Sequence, residues 1–255
     1  MNTDRRLHEA VQSFWTARTR NLQKQRASGK VDAGTRGAVT GGTQMGGLEV
    51  LVADILCDAG LERVEVRTRT ALELPGYYRA EKKWDLIVVS EGTLVLAMEF
   101  KSQVGPSFGN NLNNRSEEAL GSATCLWTAY REGRFGTAPR PFLGYLFLLE
   151  DCPEVKRPVR NKEPYFEVDP VFKGNRIERK GKHLYSGVSY SERYEVLIRR
   201  LVRENVYTAA TLIMTTNEDP TIISQPAEDL SFRRFEAALR GHAVTFLGSR
   251  QSPEP

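Results

Sequence analysis

The chain has 255 residues, 40% of them hydrophobic, enough for one large core without calling for a second domain. Three scattered cysteines, Cys57, Cys125 and Cys152, exclude a disulfide framework or a zinc knuckle of neighbouring ligands and point to a reducing, cytoplasmic setting. The formal charge of +4 is a mild bias towards anionic partners, no apolar run approaches the roughly 20 residues of a membrane span, and the charged start MNTDRRLHEA is unlike a signal peptide.

Residues 1–40 hold eight Lys or Arg against three acids, so the positive excess lies in an N-terminal arm of about residues 1–47. Such an arm suits either phosphate contact or a merely solvated face. Within it, Leu7, Val11, Phe14 and Trp15 predict a helix over residues 5–26, followed by a glycine-rich loop from Ser28 to Gly47. Leu48, Leu51, Val52, Ile55 and Leu56 then predict a core helix that ends at Gly60.

Strands are expected at 64–70, 85–90, 94–101, 142–149 and 208–215, with a turn at Pro75-Gly76. Helices are expected at about 115–131, 191–204 and 231–239. This order suggests an α/β fold, a mixed β-sheet flanked by α-helices in one domain over residues 1–255. Residues 151–183 form a polar, basic excursion with nine Lys or Arg against six acids, too long to be an idle connection.

The chemically informative stretch runs from Trp84-Asp85 to Glu99-Phe100-Lys101 through two apolar strands joined near Gly92. Strand alternation puts Glu99 and Lys101 on one face and Met98 and Phe100 on the other. A three-residue turn, Glu91 to Thr93, would pair Ser90 with Leu94 and set Asp85 opposite Glu99; a two-residue turn would set Asp85 opposite Met98. Two converging carboxylates suit a hard divalent cation, with Mg2+ the natural choice. The expected chemistry is phosphodiester hydrolysis by an activated water, with Asp85, Glu99 and Lys101 as candidate catalytic residues. Lys101, with an ordinary pKa near 10.4, suits an orienting and electrostatic role better than that of a base.

After Lys101 comes an amide-rich segment containing Asn110, Asn111, Asn113, Asn114 and Arg115, read as a loop leading into a helix. Asn and Arg are the side chains that read adenine and guanine edges, so these five are candidate DNA contacts, although Asn is also a common turn residue. In the basic excursion, Arg157, Arg160 and Lys162 are candidate phosphate contacts. The three histidines, His8, His183 and His242, are unclustered, and no Gly-rich phosphate loop joins a strand to a helix.

The strings LPGYYR (74–79), Lys83-Trp84-Asp85, Glu99-Phe-Lys-Ser102, VGPSFGNN (104–111), Asn113-Asn-Arg115 and Glu117-Glu-Ala119 together resemble the XhoI family of restriction endonucleases. The resemblance implies a PD-(D/E)xK nuclease core and a type II restriction enzyme that cuts double-stranded DNA with Mg2+. It further implies a homodimer, a palindrome at or near CTCGAG cut to leave four-base 5′ overhangs, and a cognate DNA methyltransferase that protects the host. Under it, Asp85, Glu99 and the Phe100 carbonyl would hold the metal, with Lys101 facing the attacking water. Trp84 stands where the motif often has proline, and Glu49 is the candidate for an additional acid on an early helix, although a solvent-facing role is the favoured reading for it. Two other readings remain at this point: a DNA-binding regulator that has lost cutting, and a structure-specific repair nuclease of the same superfamily.

Overall fold

The computed structural model describes residues 3–27, 44–179 and 182–250. The N-terminal helix α1 (Thr3–Ala27) is followed by α2 (Gly46–Asp58), and most of the expected glycine-rich loop lies outside the described residues. Next come β1 (Val66–Arg67), β2 (Glu73–Pro75), β3 (Glu81–Lys83), β4 (Leu86–Ser90) and β5 (Thr93–Gln103), then α3 (Phe108–Arg131) and β6 (Phe142–Glu150). The excursion holds a short helix α4 (Pro153–Lys156) and a hairpin of β7 (Arg176–Arg179) and β8 (Lys182–Tyr185). The chain continues through α5 (Tyr190–Arg203), β9 (Ala209–Thr215), β10 (Ile223–Ser224) and α6 (Phe232–Arg250).

The central sheet has the order β1-β4-β5-β6-β9-β10, with β5, β6 and β9 parallel and antiparallel strands at either side. Parallel strands need long crossovers, which α3 supplies between β5 and β6 and the excursion with α5 supplies between β6 and β9. Leu86, Val88, Leu96, Met98 and Phe100 point into a core built with α1, α2 and α6. Ile87, Ala97, Tyr145 and Phe147 point the opposite way, into a second core with α3 and α5. Phe232, Phe235 and Leu239 of α6 finish the first core. Among the described residues no helix is long and apolar enough to cross a membrane.

Three sequence expectations are corrected. The first strand is only two residues long, and the turn expected at Pro75-Gly76 is flanked by two short strands the sequence did not signal, β2 and β3, which form a separate hairpin. Helix α3 begins at Phe108 rather than near Arg115, so the amide-rich segment is helical.

The third correction concerns the β4–β5 turn. Ser90 pairs with Thr93, leaving a two-residue turn of Glu91 and Gly92, both with positive φ (50° and 78°), the backbone that a tight hairpin of this twist requires. Yet Asp85 does not slip opposite Met98, because Val89 pairs with Leu94 while Val88 pairs with Leu96. Val95 is thus an extra residue, a β-bulge that restores the register lost at the turn. Leu86 pairs with Met98, and counting outward sets Asp85 against Glu99.

The carbonyl of the bulged Val95 has no place in the β4 ladder and instead accepts a 2.9 Å hydrogen bond from Nε2 of His242 on α6. Removing that donor strands a buried carbonyl, at a cost of about 1–3 kcal/mol. His242→Ala should therefore lower the melting temperature by several degrees, measured by thermal denaturation, with little change expected from a Gln that keeps a donor. Burial holds the His242 pKa below its usual value, so its stabilisation is present at neutral pH and lost as pH falls below about 6.5.

Candidate active site

Asp85, immediately before β4, and Glu99 and Lys101 on β5 share the sheet face covered by α3 and α5. Lys101 Nζ lies 2.8 Å from Glu99 Oε1, and Lys82 Nζ of the β2–β3 hairpin approaches the same oxygen at 3.4 Å. The other oxygen, Oε2, accepts a 2.9 Å hydrogen bond from the Tyr207 hydroxyl. Asp85 Oδ2 accepts the backbone N–H of Phe100 at 2.8 Å. The β4 ladder ends at Leu86–Met98, so that N–H has no strand partner on the β4 side and is satisfied by the carboxylate instead.

Glu99 is only 2% exposed, so its charge needs partners. Burial pushes its carboxyl up, but Lys101 and Lys82 more than offset this and hold it below the usual carboxylate range. Lys101 is the complementary case: burial alone would lower its pKa, and the Glu99 contact raises it. For Lys82, which sits 4.1 Å over the Trp84 ring, burial wins and the pKa is lowered. Asp85 has less compensation, and burial leaves its pKa raised despite the Phe100 N–H and Lys101.

Glu49, on α2, is half-buried rather than solvent-facing and feels the charge of Asp85. Burial first, then Asp85, push its pKa up to about 7. A raised acid pKa stabilises the fold below the unfolded value, and this contribution is lost as pH rises. In a chelator, stability should fall from pH 4.5 through about 7, and Glu49→Gln should remove that part of the profile; melting curves across this range measure it.

The carboxylates fit a hard cation by chemistry. Asp85 Oδ1 has no hydrogen-bond partner among the described residues, and Asp85 and Glu99 converge as register partners. Among the described residues no three His, Cys, Asp or Glu side chains close a metal cage.

The remaining expected site residues divide by location. Asn110, Asn111, Asn113, Asn114 and Arg115 occupy the first two turns of α3, with Asn110, Asn113 and Asn114 exposed. Arg115 is turned inward, its side chain 16% exposed and ion-paired with Glu118. Arg157, Arg160 and Lys162 are exposed on the excursion, well apart in sequence from the carboxylates. Tyr207 and Lys82 went unread in the sequence, since neither belongs to the Asp85–Lys101 segment that carries the motif.

Residues 24–224 match the model of the family described as Restriction endonuclease XhoI. The chain belongs to the XhoI family of restriction endonucleases. It is 46% identical over 231 residues to the type II restriction enzyme BstVI of Geobacillus stearothermophilus, covering 88% of this chain and 96% of that one. It is 51% identical over 164 residues to AbrI of Azospirillum brasilense (64% and 73% covered) and 44% identical over 203 residues to XhoI of Xanthomonas vasicola (78% and 75%). Both are also type II restriction enzymes. No solved structure matches the chain. As a XhoI-family member the protein is a type II site-specific deoxyribonuclease. Its α/β sheet with flanking helices is consistent with a restriction-endonuclease-like core.

Proposed function

We propose that this XhoI-family enzyme cuts both strands of a DNA palindrome with Mg2+ held by Asp85 and Glu99, and that Lys101 serves the same site. The observation that carries the reading is the bulge-corrected register that places Asp85 against Glu99, with Lys101 Nζ 2.8 Å from the latter. The family resemblance assigns the Phe100 carbonyl to the same ion, and the half-buried Glu49, which feels the charge of Asp85, is a further candidate oxygen donor. Bound there, the cation would neutralise scissile-phosphate charge and acidify a water.

The chain's own side chains have separate tasks. Tyr207 and Lys101 fix the orientation of the Glu99 carboxylate, and the Phe100 N–H fixes that of Asp85. Lys101 and Lys82 supply positive charge next to the phosphate, in a pocket with low exposure where such charge is weakly screened. With its pKa raised by Glu99, Lys101 holds its proton at neutral pH and acts as an electrostatic and orienting group.

The family resemblance supports a target at or near CTCGAG, four-base 5′ overhangs, a protective methyltransferase partner and a cytoplasmic location. A two-fold palindrome is matched by a homodimer, since one site design then serves both strands. Digesting a plasmid that carries CTCGAG and sequencing the product ends tests this: discrete fragments with four-base 5′ ends are expected, while a smear or no cutting overturns it.

On the excursion, Arg157, Arg160 and Lys162 are assigned to phosphate contact. Neutralising any one should weaken specific and nonspecific binding alike and reduce the salt slope by about one. Fluorescence-anisotropy titrations at several salt concentrations measure this.

A further inference from the structure

We propose that the β2–β3 hairpin is a preformed DNA-backbone clamp, whose tip residues Tyr77, Tyr78 and Arg79 contact phosphates a few nucleotides from the bond that is cut. The inference takes the carboxylate cluster as the cutting centre and adds a second point of contact to it.

Three observations converge on this hairpin. Its tip holds two tyrosines at 51% and 69% exposure, packed edge to face on each other with ring centroids 4.9 Å apart. Exposed aromatic surface of that size, beside an exposed arginine, is unused by the core. Residues 76–83 contain three basic side chains and one acid, the charge balance expected of a surface that meets phosphate.

The tip is also held rigidly. Gly76 N–H donates to the Ala80 carbonyl at 3.1 Å, and the Tyr77 N–H donates to Cys125 Sγ of α3 at 3.2 Å. A side chain at Gly76 would sit 2.6 Å from the Arg79 carbonyl oxygen and 2.9 Å from Cys125 Sγ, so the chain is packed tightly there. A fixed tip loses little conformational freedom on binding.

The base of the hairpin reports its position. Lys82 on β3 reaches Glu99, so Arg79, three residues back, lies within about 10 Å of Lys82 along the chain. At about 3.4 Å of axial rise per nucleotide, that is about three steps along a DNA strand. Arginine and tyrosine are both regular donors to phosphate oxygens, which orient the duplex without reading its sequence.

The test is equilibrium binding of the full-length protein, in EDTA, to fluorescent duplexes with and without CTCGAG. Arg79→Ala and Tyr78→Phe should each weaken both complexes about three- to tenfold, and Arg79→Ala should also reduce the salt slope by about one. Melting curves should be unchanged for Tyr78→Phe, whose side chain is exposed; Arg79 also reaches the Cys125 thiol, so its role in binding is read from the salt slope. Unchanged affinity for both duplexes overturns the proposal, and a loss confined to the CTCGAG duplex overturns its assignment to the backbone. Glu99→Ala assayed for cleavage in parallel separates the readings: cutting by that variant overturns the cutting centre, whereas unchanged binding by Arg79→Ala and Tyr78→Phe overturns the clamp alone.

Discussion

Glu99→Ala is expected to abolish detectable DNA cleavage, a loss on the order of a thousandfold or more, while leaving DNA binding in chelator close to that of the parent protein. The size of the effect follows from how much converges on this carboxylate. It contacts Lys101, Lys82 and Tyr207 at once, and it faces Asp85 across the β4–β5 ladder. Without it the two ammonium groups repel each other beside Asp85, and the oxygen donors expected to hold a cation fall to Asp85, the Phe100 carbonyl and Glu49. Asp85→Ala should produce a loss of the same order. Gel assays of plasmid digestion, paired with anisotropy binding of the same variants, measure both arms. Retained cutting by either variant would contradict the role assigned to the pair.

Lys101→Met is the second large effect, expected to reduce the cleavage rate about a hundred- to a thousandfold. Methionine keeps most of the aliphatic stem and removes the charge, so the comparison isolates the ammonium. Two further consequences distinguish it from a packing defect. Glu99 loses its nearest counter-ion while Lys82 remains at the longer 3.4 Å, so the Glu99 pKa should rise and stability above it should fall, by up to about 3 kcal/mol. That loss should shrink as pH drops and Glu99 protonates. Lys101→Arg should recover stability better than rate, since a guanidinium keeps the charge but not the compact point-like ammonium. Single-turnover cleavage and pH-dependent melting measure the two parts separately.

The main elements were readable because strong local patterns agree with the tertiary fold. The apolar runs of β4, β5, β6 and β9 are buried on both faces of the sheet, and α5 carries an amphipathic pattern with a capping box from Ser189 to Glu192. The β2–β3 hairpin was not readable, since each strand has three residues, β2 has one apolar position between Glu73 and Pro75, and β3 is entirely charged, so neither shows a period. The early start of α3 was hidden by asparagine and glycine, which favour turns. There tertiary packing overrides propensity, as Phe108 is buried and Gly109 lies against the Tyr190 hydroxyl.

The cutting centre shows why a correct pairing can rest on a wrong turn. Glu91-Gly92 makes a turn one residue shorter than the spacing argument assumed, and Val95 adds the missing residue as a bulge. Both adjustments are invisible in a continuous run of apolar residues, and together they leave Asp85 opposite Glu99. Lys82 and Tyr207 lie beyond any local motif. The first arrives on a neighbouring hairpin, and the second comes from the turn before β9, 108 residues after Glu99.

The shared-cation claim for Asp85 and Glu99 is tested most directly by Mn2+ binding, followed by the electron paramagnetic resonance of the free ion, in the presence of a CTCGAG duplex. A protein-dependent Mn2+ site is expected that is lost in both Asp85→Ala and Glu99→Ala and retained in Arg157→Ala. Undiminished binding in either carboxylate variant would contradict it.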